Sequence, residues 1–309
     1  MKSQVLEGTR YYTFDTVWQV YESQHESTLG NLIADAYRAS AQMMTGEHVD
    51  IALTASGVIR ATMPTGTVTI SDVFNIAPTG KGANGALISV YVTGQDLKNL
   101  IEMDASCHAL IPSAQLFMSG VEYDIHPNRL MFDRSDAVLL QNDDGTLSEI
   151  ENEKLYHLVT GMEVGRLFES VKKKTVGILS VIPRNADGTP LTAKELDRCI
   201  IKDENGNPLT EWYAIAAYLQ TMDGSMDSRY AQTDGRKQIH KQNPMEDFLH
   251  SAGIADIHSR SFMKSVLIGL PIAIPLIVIL SLALVKMIGK RKKREHIRRY
   301  IRNQKDDEF

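Results

Sequence analysis

The residues with the clearest chemical potential lie between Ala55 and Arg60, in the sequence Ala-Ser-Gly-Val-Ile-Arg. The apolar run directly before them predicts a buried strand. After that strand, Ser56 supplies a hydroxyl group and Gly57 allows a close approach to the backbone. The guanidinium group of Arg60 suits a phosphate or carboxylate group. Arg60 therefore either binds an anionic ligand or forms a structural or surface salt bridge.

A second polar turn follows at Pro78-Thr79-Gly80, after a predicted short strand and a short helix. Proline and glycine in this arrangement are typical of a tight turn between regular elements. The stretch from Ile51 to Gly80 is thus predicted to form the ligand-facing part of the chain. Its candidate binding residues are Ser56, Gly57, Arg60, Thr79 and Gly80.

The other motifs do not complete a catalytic or metal site. Asp124-Ile125-His126 and Asp256-Ile257-His258 both spell D-x-H, the pair that opens the two-metal site of calcineurin-like phosphoesterases. That site also needs G-D and G-N-H-[DE] motifs, and neither occurs in the chain. The G-x-G-x-x-G between Gly80 and Gly85 precedes strand-like residues, whereas a dinucleotide site requires a helix there. We predict no catalytic residue and no metal ligand.

Apolar patterns along the chain predict interleaved strands and helices. Leu29, Leu32, Ile33, Ala36 and Tyr37 recur at the spacing of one helix face. Several predicted strands are joined by tight turns, such as the hairpin signal Asp143-Asp144-Gly145. Tight turns between strands favour an α+β fold with mixed sheets over a doubly wound parallel sheet.

Charge is distributed unevenly along the 309 residues, whose net charge is -5. The segment from Lys286 onward has ten Lys and Arg residues against four Asp and Glu residues, which leaves 23 basic and 34 acidic residues before it. An acidic body of this kind argues against a nucleic acid as its partner. The two cysteines, Cys107 and Cys199, are too few for a disulfide scaffold and are interpreted as inert thiols, although a single bridge between them stays open.

The run from Val266 to Val285 contains 20 residues and no charged side chain. At about 1.5 Å per residue, a helix of this length matches the hydrocarbon thickness of a bilayer, and the run predicts a membrane span. The basic cluster from Lys290 to Arg294 follows it. The positive-inside rule then predicts a cytoplasmic C-terminus and an extracytoplasmic body, in a single-pass protein of the cell membrane.

Four regions are predicted on this basis. Residues 1–222 form the folded domain, 223–264 a polar tether, 265–288 the transmembrane helix and 289–309 the basic cytoplasmic tail. The first residues have no apolar region typical of a signal peptide. Either the C-terminal span drives export, or a longer precursor has lost its beginning.

The order of several motifs resembles the C-terminal domain of the 5'-nucleotidase family, over about residues 20–215. The motifs are E-S-T-L-G-N-L-I-A-D-A (Glu26–Ala36), D-I-A-L-T-A-S-G-V-I-R (Asp50–Arg60), G-T-V-T-I-S-D-V (Gly66–Val73), A-P-T-G (Ala77–Gly80) and L-F-M-S-G-V-E-Y-D (Leu116–Asp124). Members of this family hydrolyse nucleotides and related phosphate esters outside the cytoplasm. Their N-terminal metallophosphoesterase domain holds two metal ions and the catalytic residues, and the C-terminal domain supplies the nucleoside-binding residues.

The chain departs from the family at several binding positions. Where the family has N-x-G-G-I-R, Arg60 is kept, but Ala55 replaces the Asn that contacts the substrate. Thr79 stands where an aromatic ring of the family stacks on the base. The family's G-G-D-G-F segment is absent after residue 160, and Phe168 is either a displaced ring or a core residue at helical spacing.

Together with the predicted membrane span, the resemblance implies the membrane-anchored substrate-binding half of a surface 5'-nucleotidase-like phosphoesterase. Divalent metals are then expected only in a metallophosphoesterase domain or chain outside this sequence, and this chain alone is expected to be inactive. The alternative is a non-catalytic surface binding or scaffold module that keeps the fold with a degenerate nucleotide pocket. The implied partners are a nucleotide or another phosphate ester, and a lipid bilayer through Val266–Val285.

Overall fold

A computed structural model describes residues 4–6, 14, 24–78, 85–108, 111–175, 177–222, 224–241 and 247. Contacts divide the chain into a unit from Met1 to Phe248 and a unit from Leu249 to Phe309. The second unit, with the predicted span Val266–Val285, lies outside the described residues. None of the described helices combines the length and the apolar composition that crossing a membrane requires.

Five α-helices occur in the described part of the chain. They are α1 (Thr28–Thr45), α2 (Ile70–Ile76), α3 (Gly94–Cys107), α4 (Met162–Lys174) and α5 (Glu211–Gln220). The ends of these helices follow from local sequence. Thr69 and Thr93 form capping boxes with Asp72 and Asp96, and the left-handed Gly46 ends α1 at φ 70°.

The described strands form two four-stranded sheets and one short pair. They are β1 (Gln4–Leu6), β2 (Ile51–Ala55), β3 (Val68–Thr69), β4 (Leu87–Thr93), β5 (Leu116–Ser119), β6 (Val121–Ile125), β7 (Ser135–Gln141), β8 (Leu147–Glu149), β9 (Leu155–Gly161) and β10 (Lys237–Ile239).

The first sheet has the order β4-β9-β2-β5, and β2 and β9 are its parallel pair. The second sheet has the order β10-β6-β7-β8, with β10 parallel to β6. Strands β1 and β3 pair separately. Mixed sheets with packed helices confirm the predicted α+β class.

Helix α1 packs against the first sheet through the face that its periodicity predicts. Leu29, Leu32, Ile33, Ala36 and Tyr37 are all fully buried. Gly30 permits the close approach to β5, because a Cβ atom there would lie 2.3 Å from the ring of Phe117. The chain continues from this helix into β2, so the core fixes the strand that leads to Ser56.

The folded part of the chain extends beyond residue 222, where the sequence places the start of a tether. Residues 224–241 contain the buried Tyr230 and strand β10, which pairs with β6. Arg236 contacts Asp35 at 2.7 Å, and the Lys237 Nζ atom lies 2.7 Å from Asp104. Ion pairs contribute to the attachment of this segment to the domain. Apolar periodicity in the sequence therefore does not predict that it is folded.

Candidate functional site

The parallel strands β2 and β9 define the edge of the first sheet where the candidate residues meet. Ile51 pairs with Leu158 and Leu53 with Thr160, so the carboxyl ends of both strands lie at one edge. Strand β2 runs there into a 3₁₀ turn at Ser56–Val58, and β9 runs into α4. In open sheets, ligands commonly bind outside the carboxyl ends of parallel strands.

An apolar groove of about 330 Å³ lies at this edge. Ala55 lines it from the end of β2, and Val164, Leu167 and Phe168 line it from α4. Large apolar side chains remain exposed along it, namely Ile111, Met131 and Leu167. Such a surface can accept the flat, poorly hydrated face of an organic ligand.

Ser56 and Gly57 hold the turn in place by contacts within the protein. The Ser56 hydroxyl donates to the carbonyl oxygen of Pro112 at 2.8 Å, and its backbone N–H donates to that of Gln115, also at 2.8 Å. A Cβ atom on Gly57 would lie 2.9 Å from the carbonyl oxygen of Ser113. The close approach that the sequence predicts at Gly57 is therefore to the segment around Ser113.

Arg60 is exposed, and its backbone is fixed on the second half of the predicted loop. Its N–H donates to the carbonyl oxygen of Ile76 at 2.8 Å, at the end of α2. This bond places Arg60 beside the segment that leads to Pro78. The guanidinium group makes no ion pair with any other residue that the structure describes. The predicted binding residues Thr79 and Gly80 lie outside the described residues.

Two residues that depart from the family pattern, Ala55 and Phe168, lie at the groove. Ala55, at the position of the family's Asn, lines the groove with a methyl group. Phe168 is 2% exposed and shares the buried face of α4 with Val164 and Val171, although its ring also borders the groove. The core interpretation of Phe168 therefore holds for most of its surface.

The groove includes residues that sequence reasoning missed. Ile111, Met131 and Leu167 come from three separate segments, and none belongs to a motif. Only the tertiary fold brings them together. Their neighbours in sequence are mostly apolar as well, so no local pattern marks them.

No group of three or more His, Cys, Asp and Glu side chains that could hold a metal ion occurs within the described ranges. Asp124 of the first D-x-H motif contacts His240 at 3.2 Å, and the ring of His126 stacks on that of His240. The second D-x-H motif lies outside the described residues. Neither Cys107 nor Cys199 is part of a disulfide bond in the described part of the chain, and burial raises the pKa of Cys199.

Comparison with known proteins agrees with this geometry. The family model "5'-nucleotidase, C-terminal domain" matches residues 11–162. Over 140 residues, the chain is 30% identical to the trifunctional nucleotide phosphoesterase protein YfkN of Bacillus subtilis, and the match covers 45% of this chain and 9% of that protein. Over 192 residues it is 27% identical to the endonuclease YhcR of the same species, and this match covers 60% of this chain and 14% of that protein.

Solved structures share the fold. A 5'-nucleotidase precursor from Thermus thermophilus has a TM-score of 0.55 at 19% identity, over 77% of this chain and 40% of that chain. The NAD nucleotidase NadN of Haemophilus influenzae has a TM-score of 0.51 at 16% identity, over 78% and 39%. The chain thus spans less than half of the solved relatives and under a sixth of the curated ones. Residues 11–162 belong to the family of 5'-nucleotidase C-terminal domains.

Proposed function

We propose that this domain binds a nucleotide or another phosphate ester and presents it to a metal-dependent phosphoesterase domain or chain. The observation that carries the proposal is the apolar groove at the carboxyl edge of β2 and β9, followed directly by the exposed Arg60. The family match and the printed name of YfkN, a nucleotide phosphoesterase, support the same ligand class.

The groove and Arg60 suit different parts of such a ligand. Arg60 follows Ala55 by five positions, so their Cα atoms lie within about 18 Å of each other. The apolar walls would cover a base, at about 25 cal/mol per Å² of apolar surface removed from water. A charge-assisted hydrogen bond from Arg60 to a phosphate oxygen would add roughly 1.5–3 kcal/mol.

We assign no hydrolytic step to the described residues. Divalent metal ions, which activate water and neutralise phosphate charge in two-metal sites, would come with the partner domain or chain. The chain alone, with Mn²⁺ or Mg²⁺ added, is expected to hydrolyse no AMP. The assignment would be contradicted if the pure protein hydrolysed AMP with added metal and Arg60→Ala abolished that activity.

The proposal places the domain at the outer face of the cell membrane. Its support is the uncharged run Val266–Val285 followed by the basic cluster from Lys290 to Arg294. Protease protection in intact cells tests this orientation: a C-terminal tag is expected to be protected, and an N-terminal tag digested. A digested C-terminal tag in intact cells would reject it.

A non-catalytic binding or scaffold module is the second candidate, and Ala55 favours it. The residue places a methyl group in the groove where the family uses an amide that contacts the substrate. A groove without that amide would hold a nucleoside less tightly, since a hydrogen bond is worth about 0.5–1.5 kcal/mol.

Calorimetry on the full chain in detergent micelles separates the two candidates. The titrants are AMP, adenosine, ribose 5-phosphate and inorganic phosphate. The first candidate predicts that AMP binds more tightly than adenosine or phosphate, and that Leu167→Ser weakens adenosine and AMP but not phosphate. The absence of binding by all four compounds would favour the scaffold.

A further inference from the structure

The outer edge of β4 borders a second pocket, of about 340 Å³, which the proposed function does not use. Three basic residues line it, Arg184, Arg198 and Lys202, and none of its lining residues is acidic. The guanidinium of Arg184 is bonded to the carboxylate of Asp96. Arg198 and Lys202 are exposed and give the pocket a positive charge that suits an anionic ligand.

Ser89 lies in this pocket and is bonded to a buried histidine. Its Oγ atom is 2.6 Å from Nε2 of His157. His157 is buried, with 4% of its surface exposed. The Nδ1 atom of His157 is 2.6 Å from the carbonyl oxygen of His48. A carbonyl oxygen only accepts, so Nδ1 carries the proton and Nε2 accepts the hydrogen bond from the Ser89 hydroxyl.

Further contacts fix the imidazole ring in this orientation. Tyr91 stacks on His157 with ring centroids 4.7 Å apart and an interplanar angle of 12°. The backbone N–H of His157 donates to Oδ2 of Asp50 at 2.7 Å. Serine, histidine and an orienting acceptor thus stand in the order that activates a serine nucleophile, with a backbone carbonyl as the third member.

The backbone around Ser89 also faces the pocket. Leu87 donates its N–H to Leu209, and Tyr91 donates its N–H to Arg184, both on the side of β4 away from β9. Backbone groups alternate in direction with a period of two residues, so the N–H of Ser89 points to that same side. The antiparallel bridge between Ile88 and Ile200 pairs this edge of β4 with the segment around Cys199, so the backbone here forms the pocket wall and we assign no oxyanion donor to it.

We propose that Ser89 and His157 hydrolyse carboxylic esters that carry an anionic group, which Arg198 and Lys202 bind. Ser89 Oγ attacks the ester carbonyl carbon, and its proton passes to Nε2 of His157. The tetrahedral intermediate expels the alcohol, which takes that proton, and leaves an acyl group on Ser89. Water then attacks the acyl group, its proton passes through His157 to Ser89, and the acid leaves.

Labelling with a fluorophosphonate probe tests the nucleophile on the full chain in detergent micelles. The expected result is one labelled peptide containing Ser89, with the labelling rate lowered at least about 100-fold in His157→Gln. Ser170→Ala is the matched control, because the Ser170 hydroxyl donates to a backbone carbonyl and has no histidine partner. Labelling no faster than in urea-unfolded protein would overturn the proposal and leave the Ser89–His157 bond a structural one.

A second variant keeps the test valid if His157→Gln does not fold. Ser89→Cys preserves a donor of similar size and is expected to lose fluorophosphonate labelling and to become alkylated by iodoacetamide at residue 89. Cys199 in the same pocket is an internal reference, since burial raises its pKa and slows alkylation. Alkylation of residue 89 no faster than of Cys199 would count against His157 as a base.

Substrate charge tests the basic part of the pocket. The substrates are the p-nitrophenyl monoester of glutaric acid, which is anionic, and p-nitrophenyl butyrate, which is neutral. Arg198→Ala combined with Lys202→Ala is expected to raise KM for the anionic ester about tenfold and to leave the neutral ester unchanged. Equal effects on both esters would refute the assignment of these residues to the anionic group.

Discussion

Charged side chains are used in opposite ways at β10 and at the carboxyl edge of β2 and β9. At β10, the side chains of Lys237 and Asp104 are 2% and 0% exposed and form an ion pair at 2.7 Å. At the β2–β9 edge, the groove is apolar and Arg60 is exposed. The buried pair attaches a segment to the domain, whereas the exposed cation is available to a ligand.

Burial and pairing distinguish a charge that stabilises the fold from one that is available for ligand binding. Removing one partner of a buried pair leaves an uncompensated charge and destabilises the fold. An exposed arginine contributes little to stability, so its removal affects binding alone. The predictions that follow run from the largest expected effect on stability to the smallest.

Lys237→Ala is expected to lower the free energy of unfolding by about 3–5 kcal/mol, because Asp104 is left buried without its cation. Urea denaturation followed by circular dichroism measures the change. The matched control is Lys237→Met combined with Asp104→Asn, which removes both charges and should recover most of the loss. A single variant within about 0.5 kcal/mol of the wild type would show that β10 is not held by this pair.

Gly57→Ala is expected to destabilise the domain by about 1–3 kcal/mol, because the new methyl group would overpack the turn against Ser113. The relevant distance is 2.9 Å from the new Cβ atom to the Ser113 carbonyl oxygen. Ser113→Ala keeps that carbonyl and should leave the melting temperature unchanged. If Gly57→Ala leaves the free energy of unfolding unchanged, the turn can move away from Ser113, and the site is less rigid than described.

Asp234 should make stability depend on acidic pH. Burial raises the pKa of Asp234, but its hydrogen bond and ion pair with Arg236 outweigh burial and hold the pKa at about 2, below the ordinary 3.8. A lowered carboxyl pKa stabilises the fold above the unfolded pKa, and the contribution is lost as pH falls from about 4 towards 2. Since Asp234 is only half-buried, we expect about 1 kcal/mol at neutral pH.

The measurement is urea unfolding of the wild type and of Asp234→Asn between pH 7 and pH 2. The wild type should be more stable by about 1 kcal/mol at pH 7, and the difference should shrink as the pH approaches 2. A difference that is constant over this range would show that the charge of Asp234 does not contribute.

The sequence predicts the parts of the fold that depend on local periodicity. The buried face of α1, including Leu29 and Tyr37, follows from helical spacing, and the turn after β2 follows from Ser56 and Gly57. Helix α4 is predicted in the same way, with Phe168 on its buried face. These features need only the residues within one or two turns of chain.

The remaining features depend on pairing between distant segments. Strand β10 is polar in sequence. It is attached to the domain by its pairing with β6 and by two ion pairs, one from Lys237 to Asp104 and one from the preceding Arg236 to Asp35. The bond between Ser89 and His157 requires the register of β4 against β9, which periodicity does not fix. The groove likewise joins side chains from separate elements, and no motif marks them.

AMP binding by an Arg60→Ala variant tests most directly whether the β2–β9 edge is the phosphate-ester site. Arg60→Ala should leave the free energy of unfolding within about 0.5 kcal/mol of the wild type. Titration calorimetry with AMP should show a loss of affinity of at least about tenfold, the equivalent of one charge-assisted hydrogen bond. Arg229→Ala is the control of equal charge, because Arg229 is paired with Asp227 at 2.8 Å. AMP binding that is equal in the wild type, Arg60→Ala and Arg229→Ala would contradict the account.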